Sequence, residues 1–167
     1  MMPELIIGID PSLRSTGVCL LQDDGTFSTE TVKTTEKIIN PKVFIWDHFT
    51  ALFIQASHTN KSIFASIEQY PFGMTGSKSA YGIEIGAIIR LALEKNGIPY
   101  IVVSPNTWKS SMLKPGWFGM KKGTKAKDAA YLTHVTESTG LYFDTTDEAD
   151  AYCMAQYARK ERMKNGD

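Results

Sequence analysis

Short continuous apolar runs alternate along this chain with longer stretches that repeat every three to four residues, and the alternation predicts the elements. Leu5-Ile6-Ile7-Gly8-Ile9-Asp10 is short, uninterrupted and rich in isoleucine, the pattern of a central strand buried on both faces. Thr16 to Gln22 predicts a second strand and Asp23-Asp24-Gly25 a tight turn. Thr26 to Lys33 then alternates as an edge strand does, so the three form an antiparallel meander. Asn40 as N-cap and Pro41 at the first helical position open a helix to about Ser57. Its apolar residues Val43, Phe44, Ile45, Trp46, Phe49, Leu52, Phe53 and Ile54 wrap so far around the axis that two readings stay open, burial on two sides or a subunit interface.

Ser62 to Ile67 predicts the fourth strand, which runs straight into Glu68-Gln69-Tyr70-Pro71-Phe72. After a polar loop from Gly73 to Lys78, a helix from Ser79 to Lys95 carries Ile85, Ile88, Ile89, Ala92 and Leu93 on its inner stripe and is stopped by Asn96-Gly97. Pro99 to Val103 is the fifth strand, and Ser104-Pro105 opens a short helix through Lys109. Lys114 to Thr124, rich in lysine and glycine, predicts a mobile loop, followed by a helix from Lys125 to about Ser138. A capping box, Thr145 with Glu148 three residues on, starts a last helix that reaches about Lys164. Meander, helix, strand, helix, strand, helices is the order of the ribonuclease-H-like fold. The expectation is one α/β domain over residues 1–167, a five-stranded mixed sheet of a three-stranded antiparallel meander plus two parallel strands, flanked by helices.

Composition narrows the class without naming the chemistry. A hydrophobic fraction of 43% and a charged fraction of 22% over 167 residues describe a soluble globular protein of ordinary domain size. No signal peptide or membrane span is expected, because Asp10 interrupts the first apolar run and no basic segment precedes it, which points to the cytoplasm. Cys19 and Cys153 form no metal-spaced pair and predict buried, reduced thiols, and the scattered His48, His58 and His134 argue against zinc. The formal net charge is zero, yet the distribution is uneven. Lys109, Lys114, Lys121, Lys122, Lys125 and Lys127 fall within twenty residues that contain no acid. Such a stripe either solvates a loop or holds phosphates.

Asp10 closes the first strand at its carboxyl end, where ligands and catalysis gather in α/β sheets. Alone it would do no more than cap the Pro11-Ser12 turn. Glu68 ends the fourth strand, which in this fold lies parallel to the first at a spacing of about 4.8 Å, so the two acids meet. Asp147 and Asp150 are three residues apart and share a face of the last helix's first turn. Unpaired, four such acids would repel and take up protons. A divalent cation removes that difficulty. Ligation by oxygen alone, with neither histidine nor cysteine, favours magnesium or manganese, and two such ions suit in-line displacement at phosphorus.

Gly8-Ile9-Asp10-Pro11-Ser12 with Arg14-Ser15-Thr16-Gly17, then Ile67-Glu68-Gln69, then Asp147-Glu148-Ala149-Asp150-Ala151, resemble in order and spacing the three catalytic motifs of RuvC-type Holliday junction resolvases, among them the phage-encoded branch. The resemblance spans nearly the whole chain. It implies that Asp10, Glu68, Asp147 and Asp150 are catalytic acids holding two magnesium ions, for which manganese substitutes. It also implies that Lys109 acts near the scissile phosphate and that Lys125 or Lys127 is the family's second basic residue; Arg14, within the first motif, and Lys121 and Lys122, within the lysine stripe, are expected to contact DNA. An aromatic just after the strand-four glutamate, Tyr70 or Phe72, would stack at the junction centre, with Pro71 between them leaving the choice open. Partners implied are branched DNA, above all four-way junctions, and a second copy of the chain. The homodimer would make paired nicks in opposing strands and leave 5′-phosphate and 3′-hydroxyl ends.

Other classes fit less well. An ATPase of the actin and sugar-kinase type would need a second such domain and glycine-rich phosphate loops. A non-catalytic branched-DNA-binding protein would have little use for four clustered acids, which are costly to bury. Ribonuclease-H-like nucleases acting on flaps or RNA–DNA hybrids remain alternatives within the nuclease class.

Overall fold

Side-chain parity along two neighbouring strands decides where the acids point. A computed structural model describes residues 4–12, 14–34, 38–70 and 77–164, the side chains of 77–80 excepted. It contains strands β1 (Leu5–Asp10), β2 (Ser15–Gln22), β3 (Phe27–Lys33), β4 (Ile63–Glu68) and β5 (Tyr100–Val103). The helices are α1 (Pro41–Thr59), α2 (Ser77–Lys95), α3 (Pro105–Met112), α4 (Lys125–Thr139) and α5 (Thr146–Lys164). The strands form one sheet in the order β3-β2-β1-β4-β5, antiparallel across β3-β2-β1 and parallel across β1-β4-β5. Every residue of β1 is buried, as its apolar run requires.

Because successive strand residues face opposite ways, Leu5, Ile7 and Ile9 enter one core, with Ala65 and Ile67 of β4 and with Ile45, Phe49 and Phe53 of α1 and Ile85 and Ile89 of α2. Ile6 enters the other core, with Phe64 of β4 and Ala149, Ala151, Cys153 and Ala155 of α5. Asp10 and Glu68 have the parity of Ile6 and Phe64. Both therefore face α5. The register carries this through, since Ile9 is level with Ile67 and the next pair along is Asp10 with Glu68.

α5 lies close on the sheet because both surfaces are small there. A Cβ on Gly8 would overlap the Ala151 carbonyl and stand 2.7 Å from the Ala155 nitrogen, and one on Gly17 would overlap the Asp147 carbonyl. Buried Ser66 pins the middle of the helix, its hydroxyl donating to the Met154 carbonyl at 2.9 Å.

Several local expectations change. Asn40 precedes α1 but makes no side-chain cap, so Pro41 alone marks the start, and α1 extends to Thr59. α2 begins at Ser77, two residues earlier than its pattern implied. The capping box at α5 is half made: Thr145 Oγ1 accepts from the Glu148 N–H at 3.1 Å. Glu148's carboxylate is instead engaged by the hydroxyls of Thr29 and Thr31 on β3, at 3.5 and 3.2 Å. Tertiary partners outcompete the local one. α1 is buried on one side only, by Ile45, Phe49, Phe53 and Ala56, while Val43, Phe44 and Ile54 are exposed. Cys19 and Cys153 are buried free thiols, and burial pushes the Cys19 thiol up to about 12. Among the described residues no helix is long and apolar enough to cross a membrane.

Candidate active site

Three elements deliver the acids. β1 ends on Asp10, β4 ends on Glu68, and the first turn of α5 supplies Asp147 and Asp150. Asp150 is 1% exposed and Asp10 is 9% exposed, while Glu68 and Asp147 are half-buried. The sequence placed these four together, and the structure brings them together.

Their electrostatics bear the marks of crowding. Burial holds the Asp10 carboxyl well above the usual carboxylate range, and the charges of Glu68 and then Asp150 raise it further. Glu68 is pushed up to about 7, first by burial and then by the charge of Asp150, against a hydrogen bond from Trp108 and the cations Lys109 and Lys122. Asp147 is raised by burial, with a bond from Ser15 pulling the other way.

Each of three acids has a dedicated donor that sequence reasoning missed. Trp108 of α3, fully buried, donates from Nε1 to Glu68 Oε2 at 2.7 Å. Tyr131 of α4, 2% exposed, donates its hydroxyl to Asp150 Oδ1 at 2.6 Å. Burial, then the charge of Asp150, raise the Tyr131 pKa and keep it a donor. The Ser15 hydroxyl donates to Asp147 Oδ2. Only Ser15 had a signal in the sequence, lying inside the motif that follows Asp10. Trp108 and Tyr131 had no such signal.

One lysine of the basic stretch enters the cluster. Lys122 Nζ pairs with Asp150 Oδ2 and sits 4.8 Å from the centre of the Tyr131 ring. Burial opposes its charge, but Asp150, then Asp10 and Glu68, outweigh that and hold its pKa above the ordinary lysine value. Lys109 is half-buried, its Nζ 5.1 Å from the Trp108 ring centre and 5.5 Å from that of Tyr131, near enough to Glu68 to lower its pKa.

Other candidates lie outside the cluster. Lys121, Lys125, Lys127 and Arg14 are exposed, the two α4 lysines just after the cap in which Thr124 Oγ1 accepts the Lys127 N–H at 3.4 Å. Tyr70 is half-buried with its ring pressed on Gly82 of α2. Phe72 lies outside the described residues. Phe118, by contrast, is 80% exposed, edge-on to Trp117 at 5.7 Å, between the lysines of the loop joining α3 and α4.

The donor set is hard oxygen throughout, which fits magnesium or manganese. Among the described residues, no three carboxylate, imidazole or thiol groups are gathered in this arrangement into a site that could hold an ion. The Lys122 ammonium pairs with Asp150 there, within reach of the charges of Asp10 and Glu68. The residues thus fit a divalent cation in chemistry, with Lys122 standing among them.

No protein-family model matches the sequence, and no curated protein matches it. Solved structures do. Thermus thermophilus RuvC in complex with a Holliday junction substrate superposes with a TM-score of 0.68 at 17% identity, over 95% of this chain and 95% of that one. A second structure of Thermus thermophilus RuvC gives 0.65 at 17% identity over 96% of each. At this identity the likeness is one of architecture, and the chain has the ribonuclease-H-like fold that RuvC has.

Proposed function

We propose that the protein is a metal-dependent endonuclease that resolves four-way DNA junctions, making paired nicks in opposing strands as a homodimer. The observation that carries this reading is the convergence of Asp10, Glu68, Asp147 and Asp150 at the carboxyl edge of β1 and β4 beneath α5. Sharing an architecture with RuvC, which has been captured on a Holliday junction, supports the choice of substrate.

In this reading the four acids would hold two magnesium or manganese ions, which when bound would supply Lewis-acid activation of water and of the leaving group. Trp108, Tyr131 and Ser15 fix the carboxylates of Glu68, Asp150 and Asp147 in orientation, so that little reorganisation is needed when the cluster loads. Lys109, propped on the rings of Trp108 and Tyr131, places an ammonium beside the acids where a non-bridging phosphate oxygen would lie. The exposed Arg14, Lys121, Lys125 and Lys127 hold flanking phosphates, which positions any DNA without reading its sequence. A base exposed at an open junction would stack on an aromatic side chain, for which half-buried Tyr70 and exposed Phe118 are the candidates among the described residues.

A gel assay with magnesium, comparing four-way junctions, flaps and RNA–DNA hybrids at equal concentration, tests the reading. Symmetric nicks on the junction with 5′-phosphate and 3′-hydroxyl ends are expected. Preference for flaps or hybrids would move the protein elsewhere in the nuclease class. Tight junction binding with no cutting of any substrate would make it a binding protein.

A further inference from the structure

A lysine ammonium and a divalent cation answer the same electrostatic need, and in this cluster the lysine is present. Lys122 Nζ pairs with Asp150 Oδ2, with the two side chains 28% and 2% exposed, and the charges of Asp10 and Glu68 act on it as well. It comes from neither strand nor helix. The loop that bears it, between α3 and α4, is fastened at both ends. The Lys114 N–H donates to Ser138 Oγ at 3.0 Å, and the Gly123 N–H donates to Asp128 Oδ1 at 2.8 Å. Between these points the chain turns at Gly116 and Gly119, both at positive φ, and the exposed Phe118 rides on the turn. Trp117 and Met120 of the same loop rest against the core beneath α5, and the Lys122 side chain crosses from it into the acidic centre.

We propose that Lys122 is a place-holding cation, neutralising the carboxylates of the metal-free protein and displaced toward solvent when a divalent ion loads. The inference rests on the metal-dependent reading above and adds a residue to it. An ion ligated by Asp150 would need the carboxylate oxygen that now pairs with the Lys122 ammonium, so the two compete for one ligand atom. Lys122 must withdraw, and its side chain, 28% exposed, has solvent to swing into. The freed ammonium then lies beside the loaded acids, where a DNA phosphate is the available anion. Metal loading and substrate grip are coupled through one side chain, and the coupling is reciprocal: whatever draws Lys122 outward tightens the ion.

Calorimetric titration of manganese into the folded full chain, wild type against Lys122→Met, reads the competition directly without activity. The variant should bind manganese about tenfold more tightly or better, because no internal cation has to be displaced. Lys114→Met, which removes a charge from the same loop outside the cluster, should leave the affinity within about twofold. Manganese affinity that is unchanged or weakened in Lys122→Met overturns the proposal while leaving the metal-dependent reading intact. Failure of both proteins to bind manganese overturns both. Should Lys122→Met not fold without metal, hydrogen exchange on the wild type decides. Backbone amides of residues 117–122 should exchange faster when manganese is added, and slower or unchanged exchange overturns the proposal.

Discussion

Gly17 of β2 lies directly against the main-chain carbonyl of Asp147 in α5, so closely that a Cβ on Gly17 would overlap that oxygen. Gly17 is also level with Asp10 in the β1-β2 register. One missing methyl group thus sets how near two of the acids come. Gly17→Ala should push the first turn of α5 off the sheet, costing about 1–3 kcal/mol as other overpacked sites do. Cleavage should fall well beyond what that loss of folded protein explains, because the displacement falls on Asp147. Thermal melts beside cleavage rates on the folded fraction check this. Activity per folded molecule equal to wild type would show that the spacing is structural only.

Asp10→Asn and Asp150→Asn remove one negative charge each from the cluster. Each should abolish junction cutting, by more than about a hundredfold, and leave junction binding equal or stronger, since repulsion of the phosphate is reduced. Gel shifts in calcium alongside cleavage in magnesium separate the two effects. Cutting within tenfold of wild type by both variants would remove the catalytic assignment.

The raised carboxyls predict a pH dependence of stability in the metal-free protein. Glu68 rises from an ordinary 4.5 to about 7, and Asp10 also lies well above its ordinary value. A carboxyl whose folded pKa is raised is neutral in both states below its unfolded pKa, so the folded state is at full advantage there. That advantage is lost as pH rises through the folded pKa. For Glu68 alone the loss is on the order of 3 kcal/mol. Lys122 stays charged throughout this window and does not alter the trend. In chelator, the melting temperature should therefore fall between about pH 5 and pH 8, and excess magnesium should flatten the decline by binding the ionised acids. A melting temperature that rises with pH over this range in chelator would contradict the placement of the acids.

Trp108→Phe keeps an aromatic in the core and deletes the 2.7 Å bond to Glu68. Glu68 then loses a donor that lowers its pKa, so ionisation of the cluster should require higher pH. The acidic limb of the pH–rate profile should move upward, with a stability loss of about 1–3 kcal/mol from the vacated volume and the unpaired carboxylate. An unmoved limb would show that Glu68 does not control the rate.

The outward face of α1 exposes Val43, Phe44 and Ile54, and α2 adds exposed Tyr81, Ile83 and Leu91. This much apolar surface on two helices packed together suits a second copy of the chain, and a two-fold dimer suits a substrate of near two-fold symmetry. Analytical ultracentrifugation should show a dimer at micromolar concentration, and Val43→Glu with Ile83→Glu should convert it to monomers that nick singly. A monomer that still makes paired nicks would break the link between the face and the mechanism.

Strands, helices and the acids' common edge were legible in the sequence because they follow from local rules. The isoleucine-rich run before Asp10 demands a fully buried strand, and parity then fixes which face Asp10 shares with Ile6. The same rule aligns Glu68 with Phe64, and the three-residue spacing of Asp147 and Asp150 puts both on one helical face. The order of elements completes the architecture, since a meander followed by helix, strand, helix and strand leaves little freedom in how the sheet is built. None of this requires knowing what a distant residue does.

The tertiary structure alone decided the rest. Nothing local distinguishes Lys122 from Lys121, Lys125 or Lys127, because a loop has no period to say which side chain turns inward, and burial beside Asp150 selects one of them. Trp108 and Tyr131 carry patterns of core residues, and they are core residues; their polar atoms reach Glu68 and Asp150 only because α3 and α4 pack beside α5. Glu148 shows the converse, a local cap abandoned for the hydroxyls of Thr29 and Thr31 across the sheet. Periodicity is a property of neighbours along the chain, whereas the pairing of a buried charge depends on which surfaces meet, and that is settled only when the whole chain has packed.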